Sequence, residues 1–154
     1  MKTLIKNGLV VDPANLVQTH LNLLLEDGKI VAVTEEEPEA DRVIDAAGKV
    51  VAPGFIDIHM HEDPVKDDKI QFCIFDAMLR MGVTTAVGGN CGINVYDPVK
   101  YLDLLERDGA PVNVMMFAGH QYYREAAGAL DKYSPVTEEQ RKTMKKGLEE
   151  ALEA

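Results

Sequence analysis

The sequence predicts an α/β protein in which a small antiparallel β-module precedes a parallel sheet built from βα units. Three observations carry this. Up to residue 52 the chain is written in short apolar runs broken at close spacing by Gly, Asp and Asn, the texture of strands and tight turns. From Pro53 onward, short β-branched runs alternate with stretches whose apolar residues recur at helical spacing. Turn residues mark each junction, so the second part reads as right-handed βαβ units.

In the first part, TLIKNGLVVDP and LNLLLEDGKIVAVTE each hold two β-rich runs around Asn7-Gly8 or Asp27-Gly28, dipeptides that accept the positive φ angles of hairpins. RVIDAAGKVVAPG repeats the pattern around Ala47-Gly48. Residues 1–52 are therefore expected to form a small antiparallel sheet, half of a sandwich that needs a covering layer.

In the second part, residues 53–154, GFIDIH at 54–59 is a short strand. Residues 68–81 place Ile70, Cys73, Ile74, Ala77, Met78 and Met81 on one helical stripe, ended by Gly82. VTTAVGG at 83–89 is a strand, followed by the turn GGNCGIN and a helix capped by Asp97 with Pro98 in its first turn. That helix runs through Tyr101, Leu102 and Leu105 to Gly109, and VNVMMFAG at 112–119 is the third strand. The last helix opens with Thr137 and Gln140 at capping-box spacing and presents Met144, Leu148, Ala151 and Leu152 on one face. Three parallel strands alternating with three helices leave an edge unpaired, so the sequence is expected to be part of a longer chain.

Composition narrows the function. The 154 residues, 46% hydrophobic and 27% charged, are those of an ordinary globular domain. Sixteen Lys and Arg against 26 Asp and Glu give a net charge of −10, which disfavours nucleic acid and anionic membranes as partners. No apolar run approaches the roughly 18 residues of a membrane span, and Lys6 and Asn7 interrupt any signal-peptide core, so a cytoplasmic protein is expected. Two cysteines are too few for a disulfide scaffold.

The residues with chemical potential gather where the strands end. His59 and His61 stand two apart at the end of the first strand, so both imidazoles project from one side. They are either two unrelated surface histidines or a pair gripping one divalent ion, with Glu62 and Asp63 behind them to orient the ring nitrogens. Cys91 holds the corresponding place after the second strand. It is either a buried thiol or a soft ligand facing the two imidazoles. Cys73, on the helical stripe, fits a small buried hydrophobe and carries no chemistry. His120 follows the third strand, and Arg124 is either a surface arginine or a fork for a substrate carboxylate. Three successive strands thus end in metal-capable or proton-transferring residues, at the sheet edge where βα folds build active sites.

VVAPGFIDIHMHED, GVTTAVGGNCGIN and a third strand ending in GH together resemble the start of an amidohydrolase-superfamily enzyme of the N-acyl-D-amino-acid deacylase (D-aminoacylase) type. The resemblance covers the whole chain. PGFIDIHMH is specific for the superfamily, and GNCG points to this subgroup rather than to dihydroorotases or hydantoinases. It implies a small N-terminal β-sandwich followed by a metal-dependent (β/α)8 TIM barrel, of which 53–154 would supply about three of eight units. It further implies that His59 and His61 ligate one metal position, and that Cys91 ligates a tightly held Zn2+ and can bridge to a second. His120 and Arg124 match a GH-then-Arg pattern, for which substrate contact is the expectation.

The activity so implied is hydrolysis of an amide C–N bond other than a peptide bond, by water activated on zinc, removing the acyl group from N-acyl-D-amino acids. The remaining histidine ligands and the general-base aspartate of the family have no counterpart in these residues, so the 154 residues alone are expected to be inactive. The partner is a small-molecule amide, and the oligomeric state is not legible. Two other readings stand beside this one: a cyclic-amide hydrolase of the dihydroorotase or hydantoinase kind, and a non-catalytic module that binds metal or a partner.

Overall fold

The computed structural model describes residues 1–153, and its contacts divide the chain into two units, Met1–Pro53 and the residues from Gly54 onward. The first is one sheet formed by β1 (Lys2–Asp12), β2 (Val17–Glu26), β3 (Lys29–Thr34), β4 (Arg42–Asp45) and β5 (Val50–Val51). Strand order is β3-β2-β1-β4, with β5 also against β1.

Asp27 and Gly28, at φ 49° and 78°, turn β2 into β3 as the sequence predicts. Asn7-Gly8 does not make a hairpin. β1 runs straight through it, and the pair forms a bulge where the register against β2 shifts between Ile5 and Gly8, with Asn7 at φ 64°. A Cβ on Gly8 would lie 2.5 Å from Val51 Cγ2, so this glycine serves close strand approach. The expectation of a purely antiparallel sheet is also corrected. Ala47-Gly48 joins two strands that do not pair with each other, and both β4 and β5 lie parallel to β1.

The second unit holds a parallel sheet of order β10-β9-β6, from β6 (Phe55–Asp57), β9 (Val83–Gly88) and β10 (Asn113–Met116). Between β6 and β9 lie a small hairpin, β7 (Val65–Lys66) with β8 (Lys69–Ile70), and helix α1 (Ile74–Arg80). Helix α2 (Pro98–Asp108) joins β9 to β10, and α3 (His120–Ala126) and α4 (Glu138–Glu153) follow.

The helix expected over 68–81 is therefore half as long. Asp67 and Asp68 adopt φ 51° and 56° and turn the chain into β8, so Ile70 is a strand residue. Helix α1 starts only after Cys73, and its buried side chains are Phe75 and Met78, whereas Met81 points to solvent. Cys73 is corrected as well. It is exposed rather than buried, and its thiol donates to Asp63 Oδ1 at 2.9 Å.

The caps are as expected elsewhere. Asp97 accepts from Lys100 N, and Thr137 and Gln140 exchange reciprocal hydrogen bonds. Helix α3 has no signature in the sequence, because its seven residues carry only one buried side chain, Tyr123, and so no stripe. The core behind the sheet comprises Met60, Ile70, Phe75, Met78, Val83, Ala86, Tyr101, Leu104, Leu105 and Val112. Among the described residues, no helix is long and apolar enough to cross a membrane.

Candidate metal centre

The carboxyl ends of β6, β9 and β10 form a rim. After β6 the chain is fixed by Asp57, whose Oδ1 accepts from His59 N at 3.0 Å, and by Met60, whose amide donates to Val87 O. Met60 is buried in the core, which leaves its neighbours His59 and His61 turned out to solvent. Their ring centroids are 6.2 Å apart.

After β9, a single 3-10 turn spans Asn90–Gly92. Gly89 and Gly92 sit at φ 75° and 76°, and Cys91 itself at φ 59°, a left-handed conformation unusual for a residue with a side chain. This turn brings Cys91 Sγ to 3.5 Å from His59 Nε2. One donor atom each from His59, His61 and Cys91 lies within 4.8 Å of the others.

Two imidazoles and a thiol suit zinc or another first-row divalent ion. Zinc–nitrogen and zinc–sulfur bonds of about 2.0–2.3 Å put neighbouring tetrahedral ligands roughly 3.5 Å apart. The Cys91–His59 separation matches that spacing, and all three side chains are open to solvent, so an ion has access.

Glu62 and Asp63 do not orient the histidines. Asp63 is fully buried and caps α1, its Oδ1 accepting from Cys73 N and Ile74 N and its Oδ2 from Phe75 N. Glu62 Oε1 accepts from Asn94 Nδ2 at 3.1 Å, and its Oε2 is buried without a partner. The chain turns both carboxylates inward after His61, so the α1 amides and Asn94, rather than the rings, receive them.

His120 opens α3 and is exposed, while its backbone nitrogen lies near Gly92. It does not join the three-residue cluster. Arg124, one turn on, donates from Nη2 to the carbonyls of Asp131 and Ser134 and so ties down the loop after α3.

Two asparagines with no distinctive sequence signature also build the rim. Asn90 Nδ2 donates to Val87 O at 2.7 Å and to Met60 O at 3.4 Å, pinning the cysteine turn to the histidine segment. Asn94 donates to Glu62 and to Phe117 O and accepts from Gly119 N at 2.7 Å. Their place on either side of the cysteine in GGNCGIN is the one mark they carry.

The second unit is thus a parallel α/β arrangement with a His-x-His pair and a cysteine facing one another at the carboxyl edge of its sheet. Residues 42–154 match the sequence profile of the Amidohydrolase family, and the chain belongs to that family. It is 30% identical over 173 residues to the N-acyl-D-glutamate deacylase of Alcaligenes xylosoxydans xylosoxydans, an alignment covering 97% of this chain and 35% of that one. It is 43% identical over 88 residues to the dihydroorotase of Elusimicrobium minutum, covering 55% of this chain and 20% of that one.

The crystal structure of N-acyl-D-glutamate deacylase from Bordetella bronchiseptica, complexed with zinc and a phosphonate mimic of the tetrahedral intermediate, superposes with a TM-score of 0.80 at 28% identity. It covers 99% of this chain and 36% of the other, so the fold is that of the N-terminal part of a TIM-barrel enzyme. The chain spans about a third of the length of these deacylases.

Proposed function

We propose that this chain carries the first ligands of a zinc-dependent hydrolase that removes the acyl group from N-acyl-D-amino acids. The observation that supports the reading most is the convergence of His59, His61 and Cys91 on one small volume at the rim. Likeness to deacylases over nearly the whole chain favours an acyclic amide, since the dihydroorotase match covers about half of it.

A zinc ion held by these residues would supply Lewis acidity to a water and to the scissile carbonyl. The chain's own contribution is ligation and order. His59 and His61 offer neutral imidazole nitrogens and Cys91 a thiolate. Asp57 and Met60 fix the histidine segment, and the Asn90 amide fixes the cysteine turn against it. In this reading His120 contacts the substrate from the start of α3, and Arg124 shapes the loop beside it.

A second reading, hydrolysis of a cyclic amide, draws on the dihydroorotase likeness. A panel of N-acyl-D-amino acids, N-acyl-L-amino acids, dihydroorotate and a hydantoin, assayed with protein from the whole reading frame before and after chelation, separates the two. The expected outcome is chelator-sensitive cleavage of the D-acyl substrates. Turnover of the cyclic amides alone would replace the deacylase reading with the second one.

A further inference from the structure

We infer that Asn94 is a positioning residue for Cys91, a single buried amide that ties together the three strand ends of the rim, two of which bear the candidate ligands. The inference rests on the metal-site reading above and deepens it.

Asn94 is 8% exposed and uses both ends of its amide. Nδ2 donates to Glu62 Oε1, next to His61, and to Phe117 O at the end of β10, each at 3.1 Å. Oδ1 accepts from Gly119 N, next to His120. Asn94 itself lies three residues past Cys91, so one side chain reaches all three rim segments.

Two glycines keep space for it. A Cβ on Gly119 would stand 2.7 Å from Asn94 Oδ1, and one on Gly89 would stand 2.9 Å from Asn94 Nδ2 and 2.2 Å from Phe117 O. A side chain at either place would displace the amide.

The turn needs such a brace. Cys91 occupies a left-handed conformation that a residue with a side chain adopts at a cost, so a free turn would relax and carry Sγ away from His59. Asn90 restrains the turn on its amino-terminal side through Met60 O and Val87 O, and Asn94 restrains it on the other. Among the described residues the Glu62 carboxylate has no other hydrogen-bond partner, its Oε2 standing alone in the interior. Loss of the Asn94 amide would therefore release the turn bearing Cys91 on its carboxyl-terminal side and leave the Glu62 carboxylate, next to His61, without its donor.

The test is Co2+ binding to protein from the whole reading frame, read by the thiolate-to-cobalt charge-transfer band in the near ultraviolet and by the visible d–d bands. Wild type is expected to show both. Asn94→Ala is expected to weaken Co2+ binding by about 10–100-fold and to lose the thiolate band at saturating metal while d–d bands persist. Leu105→Ala, a core truncation on α2, should lower thermal stability without changing the spectrum.

Asn94→Asp should behave like Asn94→Ala, because two carboxylates then face each other. Adding Glu62→Gln reverses the polarity of that hydrogen bond but leaves the new carboxylate oxygen facing Phe117 O, so the band should return in part, above its level in Asn94→Asp alone, which keeps the test decisive if the alanine variant fails to fold. Wild-type affinity and spectrum in Asn94→Ala or Asn94→Asp, or equal spectral loss in Leu105→Ala, would overturn the inference. Absence of any thiolate band in wild type would instead overturn the metal-site reading, and this inference with it.

Discussion

Asp63 shows how much one buried carboxylate can organise. It closes the amino terminus of α1 by accepting from three backbone amides and the Cys73 thiol, and its own carbonyl accepts from the Tyr101 hydroxyl at 3.0 Å. Burial, followed by the charges of Asp63 and Glu62, pushes the Tyr101 phenol well above its ordinary range, while the Asp63 hydrogen bond raises the Cys73 thiol. Asp63→Ala leaves three amide donors unanswered, and the expected loss is about 2–4 kcal/mol of folding stability, measured by denaturant unfolding. A loss under about 0.5 kcal/mol would mean that water replaces the cap. His59, His61 and Cys91 were legible as candidates because their side-chain chemistry is distinctive and strand ends are easy to locate. The inward turn of Glu62 and Asp63 was not, since a carboxylate after a histidine can face a ring nitrogen or a helix end, and only the distant partners decide.

Among the elements, the connector from β9 to α2 is the most constrained. Gly88 and Gly89 are buried, and Gly89 combines φ 75° with a close approach to Phe117 O. Gly89→Ala is expected to cost about 2–4 kcal/mol, the sum of a left-handed conformation and an overpacked contact, and to weaken metal binding at the adjacent cysteine. Thermal unfolding together with zinc affinity checks both parts, and Gly128→Ala, just past the end of α3, is the comparison. That residue also has a positive φ, of 76°, but nothing lies within 4 Å of an added Cβ. Parallel strands and the capped helices α2 and α4 were readable from β-branched runs, Asp97-Pro98 and the Thr137/Gln140 box. The bulge at Asn7-Gly8 and the hairpin at Asp67-Asp68 were not. Both use residues that accept positive φ, and whether such a pair reverses the chain or only kinks it depends on which strand lies opposite.

For the whole molecule, titration provides a test of how the interior is arranged. Tyr122, partly desolvated and donating to Asp97 Oδ2, is pushed up to about 12, and Tyr101 lies higher still. Both phenols ionise near 10 in the unfolded chain, so folding holds their protons more tightly than unfolding does. Their contribution is complete below about pH 10 and is lost as pH climbs from 10 through 12. Tyrosinate absorbance followed alongside far-ultraviolet circular dichroism is expected to show a late fraction that ionises only as the fold is lost. Ionisation of all five tyrosines near pH 10 with the dichroism intact would contradict the packing described. The alternation of strand and helix made the βα architecture visible in the sequence, whereas the parallel pairing of β4 and β5 with β1 was hidden, because strand direction depends on connections rather than on composition.

If His59, His61 and Cys91 hold one metal ion, zinc content by elemental analysis will depend on each of them. Protein expressed from the whole reading frame is compared with Cys91→Ser and His59→Ala after equilibration at limiting free zinc. Zinc is expected in the wild type, with a loss of affinity of at least about 10-fold in each variant and folding retained. Equal zinc content in wild type and both variants under those conditions would contradict a shared ion at these residues.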